Sequence, residues 1–177
     1  SYNMAKRIVF LDEYSVDKAD LTQIKILGDY TGYEMTQPEQ VVERCKGAEI
    51  AITNKTRFTA EIIAALPDLK LICVAATGMN NIDLEAAESA GISVRNAVGY
   101  STYSVAEQTF SGVLALLKQV VYFDAYVKDG SYASSSYLFD FTRPTYELHG
   151  KKWGVIGLGN IGTQVENIAE AFVCEVH

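Results

Sequence analysis

Apolar positions along roughly the first hundred residues come in two textures. Short unbroken runs, such as Ile8-Val9-Phe10-Leu11, alternate with longer stretches whose apolar residues return every three or four positions. Unbroken runs read as strands buried on both faces, and the longer period reads as amphipathic helix. Strands are therefore expected at Arg7–Leu11, Ile50–Thr53, Leu69–Ala75 and Ile92–Arg95. Helices are expected at Ala19–Leu27, from Pro38 through a face of Val41, Val42 and Cys45, at Thr59–Leu66 and at Asp83–Ala90. Local signals support these bounds. Pro38 suits a first helical turn, Thr59 can cap a helix start with Pro67 beyond its end, and Gly91 suits a left-handed helix end. Buried strands alternating with helices imply an α/β fold with a parallel sheet covered on both sides.

The texture changes at Ser101. From Ser104 to about Lys128 one long helix is expected, with Val105, Phe110, Val113, Leu114, Leu117, Val120 and Val121 at helical spacing. Its apolar residues cover more than one face, which predicts burial nearly all round. A Ser/Tyr-rich loop follows, Gly130 to Tyr146. Lys152–Ile156 reads as a strand, and Ile161, Val165, Ile168, Ala169 and Phe172 as one face of a helix. Cys174 to His177 reads as the beginning of another strand. The expected domain boundary lies near Gly99, dividing the chain into residues 1–99 and 100–177.

Composition narrows the partners. The chain has 177 residues, 49% of them hydrophobic and 21% charged, with a net charge of −7 and a pI of about 4.8. An acidic surface repels phosphate backbones, so no nucleic-acid partner is expected. The most apolar stretch, Thr109 to Phe123, is interrupted by Lys118 and Gln119 and is short for a membrane span, so no membrane partner is expected either. No basic segment followed by an apolar core opens the chain, which points to the cytoplasm. Cys45, Cys73 and Cys174 are far apart and odd in number, without metal-ligand spacing, so reduced thiols and no metal site are expected.

Two turns carry candidate chemistry. Gly157-Leu158-Gly159-Asn160-Ile161-Gly162 follows a strand and opens a helix, the setting in which G-x-G-x-x-G signals a dinucleotide. Gly157 permits the tight turn, Gly159 lets a pyrophosphate approach the backbone, and Gly162 lets the helix pack close. The N–H groups of the first helical turn, including those of Asn160 and Ile161, then face the phosphates. An acidic residue about 20 positions on would hold the ribose; His177 comes before it, so NAD and NADP both stay open. The second turn is Ala75-Ala76-Thr77-Gly78-Met79-Asn80-Asn81-Ile82-Asp83, after a strand. Parallel sheets bind ligands at the carboxyl ends of their strands, and free N–H groups at Thr77-Gly78 would suit a small carboxylate. The alternative is that Asn81 or Asp83 merely caps the next helix.

These residues also carry a resemblance. Thr77 to Asp83, Gly91-Ile92-Ser93-Val94-Arg95-Asn96, Gly99-Tyr100-Ser101-Thr102, Ser104-Val105-Ala106-Glu107 and Leu148-His149-Gly150-Lys151 precede the glycine turn in this order. Together they resemble the D-isomer-specific 2-hydroxyacid dehydrogenase family. Thr53-Asn54-Lys55-Thr56 with Ala76-Thr77-Gly78 is most similar to its glycerate dehydrogenase (hydroxypyruvate reductase) branch. The resemblance implies a flavodoxin-like substrate domain lacking its C-terminal return segment, then a long crossing helix and the first part of a Rossmann domain. It implies an oxidoreductase moving hydride between NAD(H) and a small 2-keto or 2-hydroxy acid, with hydroxypyruvate/D-glycerate or glyoxylate as substrate and a homodimer as the assembly. It implies that Thr77 and Gly78 hold the substrate carboxylate, that Lys55 and Tyr100 face the substrate, and that Thr77 and Val105 lie near the cofactor. The family's catalytic arginine, glutamate and histidine have no counterpart here. His149 falls in a loop position and His177 is terminal, so neither takes that role, and this chain alone is expected to be inactive. A non-catalytic NAD-sensing protein or corepressor of the same fold is the alternative.

Overall fold

The computed structural model describes residues 5–177. They form two compact units, one running through Val98 and the other from Gly99 to His177.

The first unit is built on five parallel strands: β1 (Arg7–Phe10), β2 (Asp29–Gly32), β3 (Ile50–Thr53), β4 (Leu71–Val74) and β5 (Ser93–Asn96). Their order is β2-β1-β3-β4-β5, the flavodoxin-like doubly wound arrangement. Strand side chains alternate between two cores, as the pleat dictates. Val9, Ala51, Ile72 and Val74 enter one core with Leu11, Val41, Cys45, Ile63 and Ala87. Ile8, Phe10 and Ile52 enter the other, against Val16, Leu21 and Ile24. Helices α1 (Thr22–Lys25), α2 (Val41–Cys45), α3 (Ala60–Ala64) and α4 (Leu84–Ser89) connect the strands.

Three sequence expectations need correction here. Strand β2 has no apolar run because it is an edge strand, and only Tyr30 and Thr31 are even half-buried. The helix expected over Ala19–Leu27 is a single turn, Thr22–Lys25, with Ile26 and Leu27 exposed. Val42 does not share the buried face of Val41 and Cys45. Asp83 does cap α4, its side chain accepting from Ala86 N at 3.0 Å, and Gly91 beyond α4 takes φ +72°.

In the second unit the expected single long helix is two: α5 (Thr102–Leu117) and α6 (Val120–Lys128), which meet at 59°. Gln119 takes a left-handed φ of 54°, which ends one helix before the next begins. The carbonyl of Leu117, freed at that end, accepts the N–H of Tyr146 at 2.9 Å. The apolar period continues across the break, so the pattern alone does not reveal it. Burial is also one-sided: Ala106 and Phe110 are buried, whereas Val105, Leu116, Val120 and Val121 are exposed. Among the described residues no single helix is long and apolar enough to cross a membrane.

A short helix α7 (Ser131–Ser134) opens the Ser/Tyr-rich loop. The strand expected at Lys152–Ile156 is regular only at β6 (Lys152–Trp153), paired in parallel with β7 (Glu175–Val176). Helix α8 (Asn160–Ala171) packs Val165 and Ala169 against Ala106, Phe110 and Leu148. Phe110 stacks on Trp153 with ring centroids 4.6 Å apart.

Candidate functional site

The carboxyl ends of β3 and β4 make the first site. The turn after β4 runs from Thr77 to Asn80, and its N–H groups find no backbone acceptor among the described residues. Its shape is held from outside. Asn96 Nδ2 donates to the Thr77 carbonyl at 2.7 Å, and Thr77 Oγ1 donates to the Ala97 carbonyl at 3.0 Å. A side chain at Gly78 would bring its Cβ to 3.2 Å from Asn80 Oδ1. The result is a run of backbone donors without backbone acceptors at the ligand end of a parallel strand.

The N–H groups of the turn after β3, Thr53 to Thr56, converge on one point, and that point is filled. Asp12, at the end of β1 and only 2% exposed, places its carboxylate there. The N–H groups of Asn54, Lys55 and Thr56 donate to it at 2.8, 2.7 and 3.1 Å. The hydroxyls of Thr53 and Thr56 add two longer contacts at 3.2 Å. Asn81 joins the two turns: its Nδ2 donates to the carbonyl of Thr56 at 3.0 Å, and its own carbonyl accepts the N–H of Phe58 at 2.8 Å.

Between the turns lies a cavity of about 380 Å³ lined by Asn54, Lys55, Arg57, Gly78, Asn80 and Asn81. Lys55 and Arg57 are exposed and form no ion pair among the described residues. Asn54 turns its Oδ1 into the interior, where it finds no partner. The cavity thus offers two cations and backbone donors, the chemistry of a small-anion site. Of the residues singled out in the sequence, Lys55 and Gly78 are brought together here, with Thr77 in the adjoining turn. Sequence reasoning does not pick out Asp12 or Asn54 as site residues, and Asn81, which it offers only as a helix cap, instead joins the two turns while Asp83 makes the cap. A signal for Asp12 did exist: an acidic residue set against the carboxyl end of an apolar central strand.

The second site is the glycine turn. Gly157 takes φ +94°, closed to most side chains. A Cβ on Gly162 would stand 2.2 Å from the Gly157 carbonyl oxygen, so only glycine lets α8 start this close to the turn. A Cβ on Gly159 would meet nothing within 4 Å. The N–H groups of Leu158 and Gly159 have no backbone acceptor among the described residues, and those of Asn160 and Ile161 open the helix, where intrahelical acceptors are lacking. Free donors, open space at Gly159 and a twelve-residue helix behind them fit a pyrophosphate. The first turns of α5 and α8 share a shallow depression lined by Gly99, Thr102, Tyr103, Asn160, Thr163 and Gln164. Val105 and Tyr100 belong to this unit, 41% and 66% exposed. His149 lies in an exposed turn, and the His177 ring meets Glu175 at 3.1 Å.

Comparison with known proteins gives the family and the fold. Residues 8–173 match the family model described as D-isomer specific 2-hydroxyacid dehydrogenase, catalytic domain. The chain belongs to the D-isomer specific 2-hydroxyacid dehydrogenase family. It is 38% identical to the glycerate dehydrogenase of Methylorubrum extorquens over 98% of this chain and 55% of that protein. Among solved structures it resembles an acyclic imino acid reductase in complex with NADPH and D-Arg (TM-score 0.82, 26% identity, 95% of this chain and 54% of that one). It also resembles the D-lactate dehydrogenase of Aquifex aeolicus complexed with NAD and lactic acid (TM-score 0.80, 27% identity, 97% and 50%). The chain spans about half the length of these relatives.

Proposed function

We propose that this chain supplies the substrate-carboxylate site and the pyrophosphate turn of an oxidoreductase acting on a small 2-keto or 2-hydroxy acid, with hydroxypyruvate/D-glycerate or glyoxylate as the substrate. The observation that carries this reading is the open donor turn Thr77–Asn80 beside Lys55 and Arg57, which form no ion pair among the described residues. The backbone N–H groups of Thr77 and Gly78 would hold the carboxylate and Lys55 would add charge. The cavity is small and has no cluster of cations beyond Lys55 and Arg57, which favours a short, unphosphorylated acid.

The cofactor would be NAD, with NADP open, held by Gly157, Gly159, Asn160, Ile161 and Gly162. A bound nicotinamide supplies or accepts the hydride, while the protein orients the reacting carbons and excludes water. Family resemblance adds Tyr100 to the substrate residues and Thr77 and Val105 to the cofactor residues. The acid–base histidine, its glutamate and the carboxylate-clamping arginine have no counterpart among these residues, and a positioned general acid alone is worth roughly 10²–10⁴-fold. The exposed apolar residues Val120, Val121 and Val127 on α6 support a homodimer, and three unpaired cysteines suit the reducing cytoplasm.

The test compares two purified proteins, this chain and a polypeptide extended to the length of its relatives, each mixed with NADH and hydroxypyruvate or glyoxylate. The expected outcome is loss of 340-nm absorbance only with the extended protein, which light scattering should report as a dimer. Turnover by the 177-residue chain would overturn the assignment of the acid–base groups, and no turnover with either acid by the extended protein would overturn the substrate.

A further inference from the structure

The two turns at the ends of β3 and β4 both carry successive backbone N–H groups that no backbone acceptor among the described residues takes, and such groups draw anions. Yet only one is open. In the other, the Asp12 carboxylate accepts three consecutive N–H groups at 2.7–3.1 Å. Asp12 forms no ion pair among the described residues. Its charge is met by backbone dipoles and the hydroxyls of Thr53 and Thr56. The residue whose N–H makes the shortest of these bonds is Lys55, whose side chain lines the cavity it shares with Gly78. Lys55 and Arg57 also line the neighbouring cavity that reaches Asp12.

We propose that Asp12 is a positioning residue, a built-in anion that occupies the turn after β3, denies it to the substrate and fixes Lys55 beside the open turn after β4. The inference rests on the carboxylate-site reading above. An empty β3 turn would compete for the same small carboxylate and would let Lys55 drift from Gly78. With Asp12 in place, one turn is spent on structure and one is left for ligand. The two oxygens divide the work: Oδ1 takes the N–H of Asn54, and Oδ2 takes those of Lys55 and Thr56 with both hydroxyls. An amide in place of the carboxylate would turn an NH₂ group toward N–H donors, so Asp12→Asn tests charge at nearly constant shape.

The experiment uses the chain as described, with D-glycerate as probe and backbone amide shifts as readout. In the wild type, D-glycerate should move the Gly78 amide and leave those of Asn54, Lys55 and Thr56 nearly still. In Asp12→Ala and Asp12→Asn the dissociation constant at Gly78 should rise tenfold or more, and D-glycerate should now move the amides of Asn54 and Thr56 as well. Lys55→Met should weaken binding similarly in the wild type and add nothing in the Asp12→Ala background. Sodium formate should raise the melting temperature of Asp12→Ala above any change in the wild type, because formate restores the missing carboxylate. A structural role alone would produce the formate effect, but neither the new shifts at Asn54 and Thr56 nor the dependence of the Lys55→Met effect on Asp12.

Two outcomes would overturn the inference: folded Asp12 variants that bind D-glycerate at Gly78 as the wild type does, or formate without effect on Asp12→Ala. If Asp12→Ala fails to fold, recovery of its spectrum in formate supports the inference, and wild-type binding by Asp12→Asn overturns it. Failure of the carboxylate-site reading looks different: D-glycerate then leaves the wild-type Gly78 amide unmoved, while the formate arm still reports on Asp12.

Discussion

The turn after β4 and the glycine turn before α8 present the same thing, a row of backbone donors, and they are held in opposite ways. The first is tied by side chains. Asn96 and Thr77 cross-bond β5 to the turn, and Asn81 pins it to the turn after β3. The second is shaped by missing side chains, with Gly157 at φ +94° and Gly162 so close to the Gly157 carbonyl that no Cβ fits. Hydrogen bonds can be lost singly, each at a moderate cost. A glycine in close approach has no partial substitute. The carboxylate turn should therefore degrade by steps, and the dinucleotide turn should fail outright.

Three substitutions can break or sharpen that contrast. The largest effect is expected for Gly162→Val, whose Cβ would press on a backbone carbonyl oxygen that cannot swing aside. The second unit should lose about 3 kcal/mol or more, read in urea by the fluorescence of Trp153, the one tryptophan of the chain. The first unit should unfold as before. Next comes Gly159→Val, which faces open space. Stability should hold, while NADH affinity of the extended protein falls tenfold or more, about 1.4 kcal/mol. Unchanged affinity in a folded variant would remove this turn from the cofactor site. The smallest effect belongs to Asn81→Ala, which deletes one tether and should cost about 1 kcal/mol. Circular dichroism in urea should register the loss in the first unit with the Trp153 transition unmoved. A loss as large as that of Gly162→Val would erase the distinction.

The same contrast explains what could be read in the sequence. The glycine turn lies within six consecutive residues, and each glycine's role follows from its neighbours. Strands β1, β3 and β4 announce themselves by apolar residues, because both faces of the sheet are covered there, whereas the edge strand β5 is marked only by Val94 and the preceding Ile92. The other edge strand, β2, has no apolar run at all, and its half-buried residues are Tyr30 and Thr31. The break at Gln119 was hidden because the apolar period runs through it, and a left-handed glutamine leaves no mark in the pattern. Asp12 was overlooked for a different reason. Its place just past an apolar strand marks it as a candidate, but its partners are 41 to 44 positions away, and no local rule names the turn it fills.

That distance has a consequence for how the first unit comes into being. Closing a loop of some forty residues costs chain entropy that grows as about (3/2)RT ln n, and one turn cannot recover it alone. Asp12 reaches Asn54, Lys55 and Thr56 because β1 and β3 lie side by side, Ile8 opposite Ile50 and Phe10 opposite Ile52. The concave surface at Thr53–Thr56 is thus no autonomous motif. Cut out as a short peptide it would be shapeless. In the whole chain it forms when the central strands zip, and it should dissolve with them in one cooperative event, its amides trading hydrogen with water as slowly as the sheet itself.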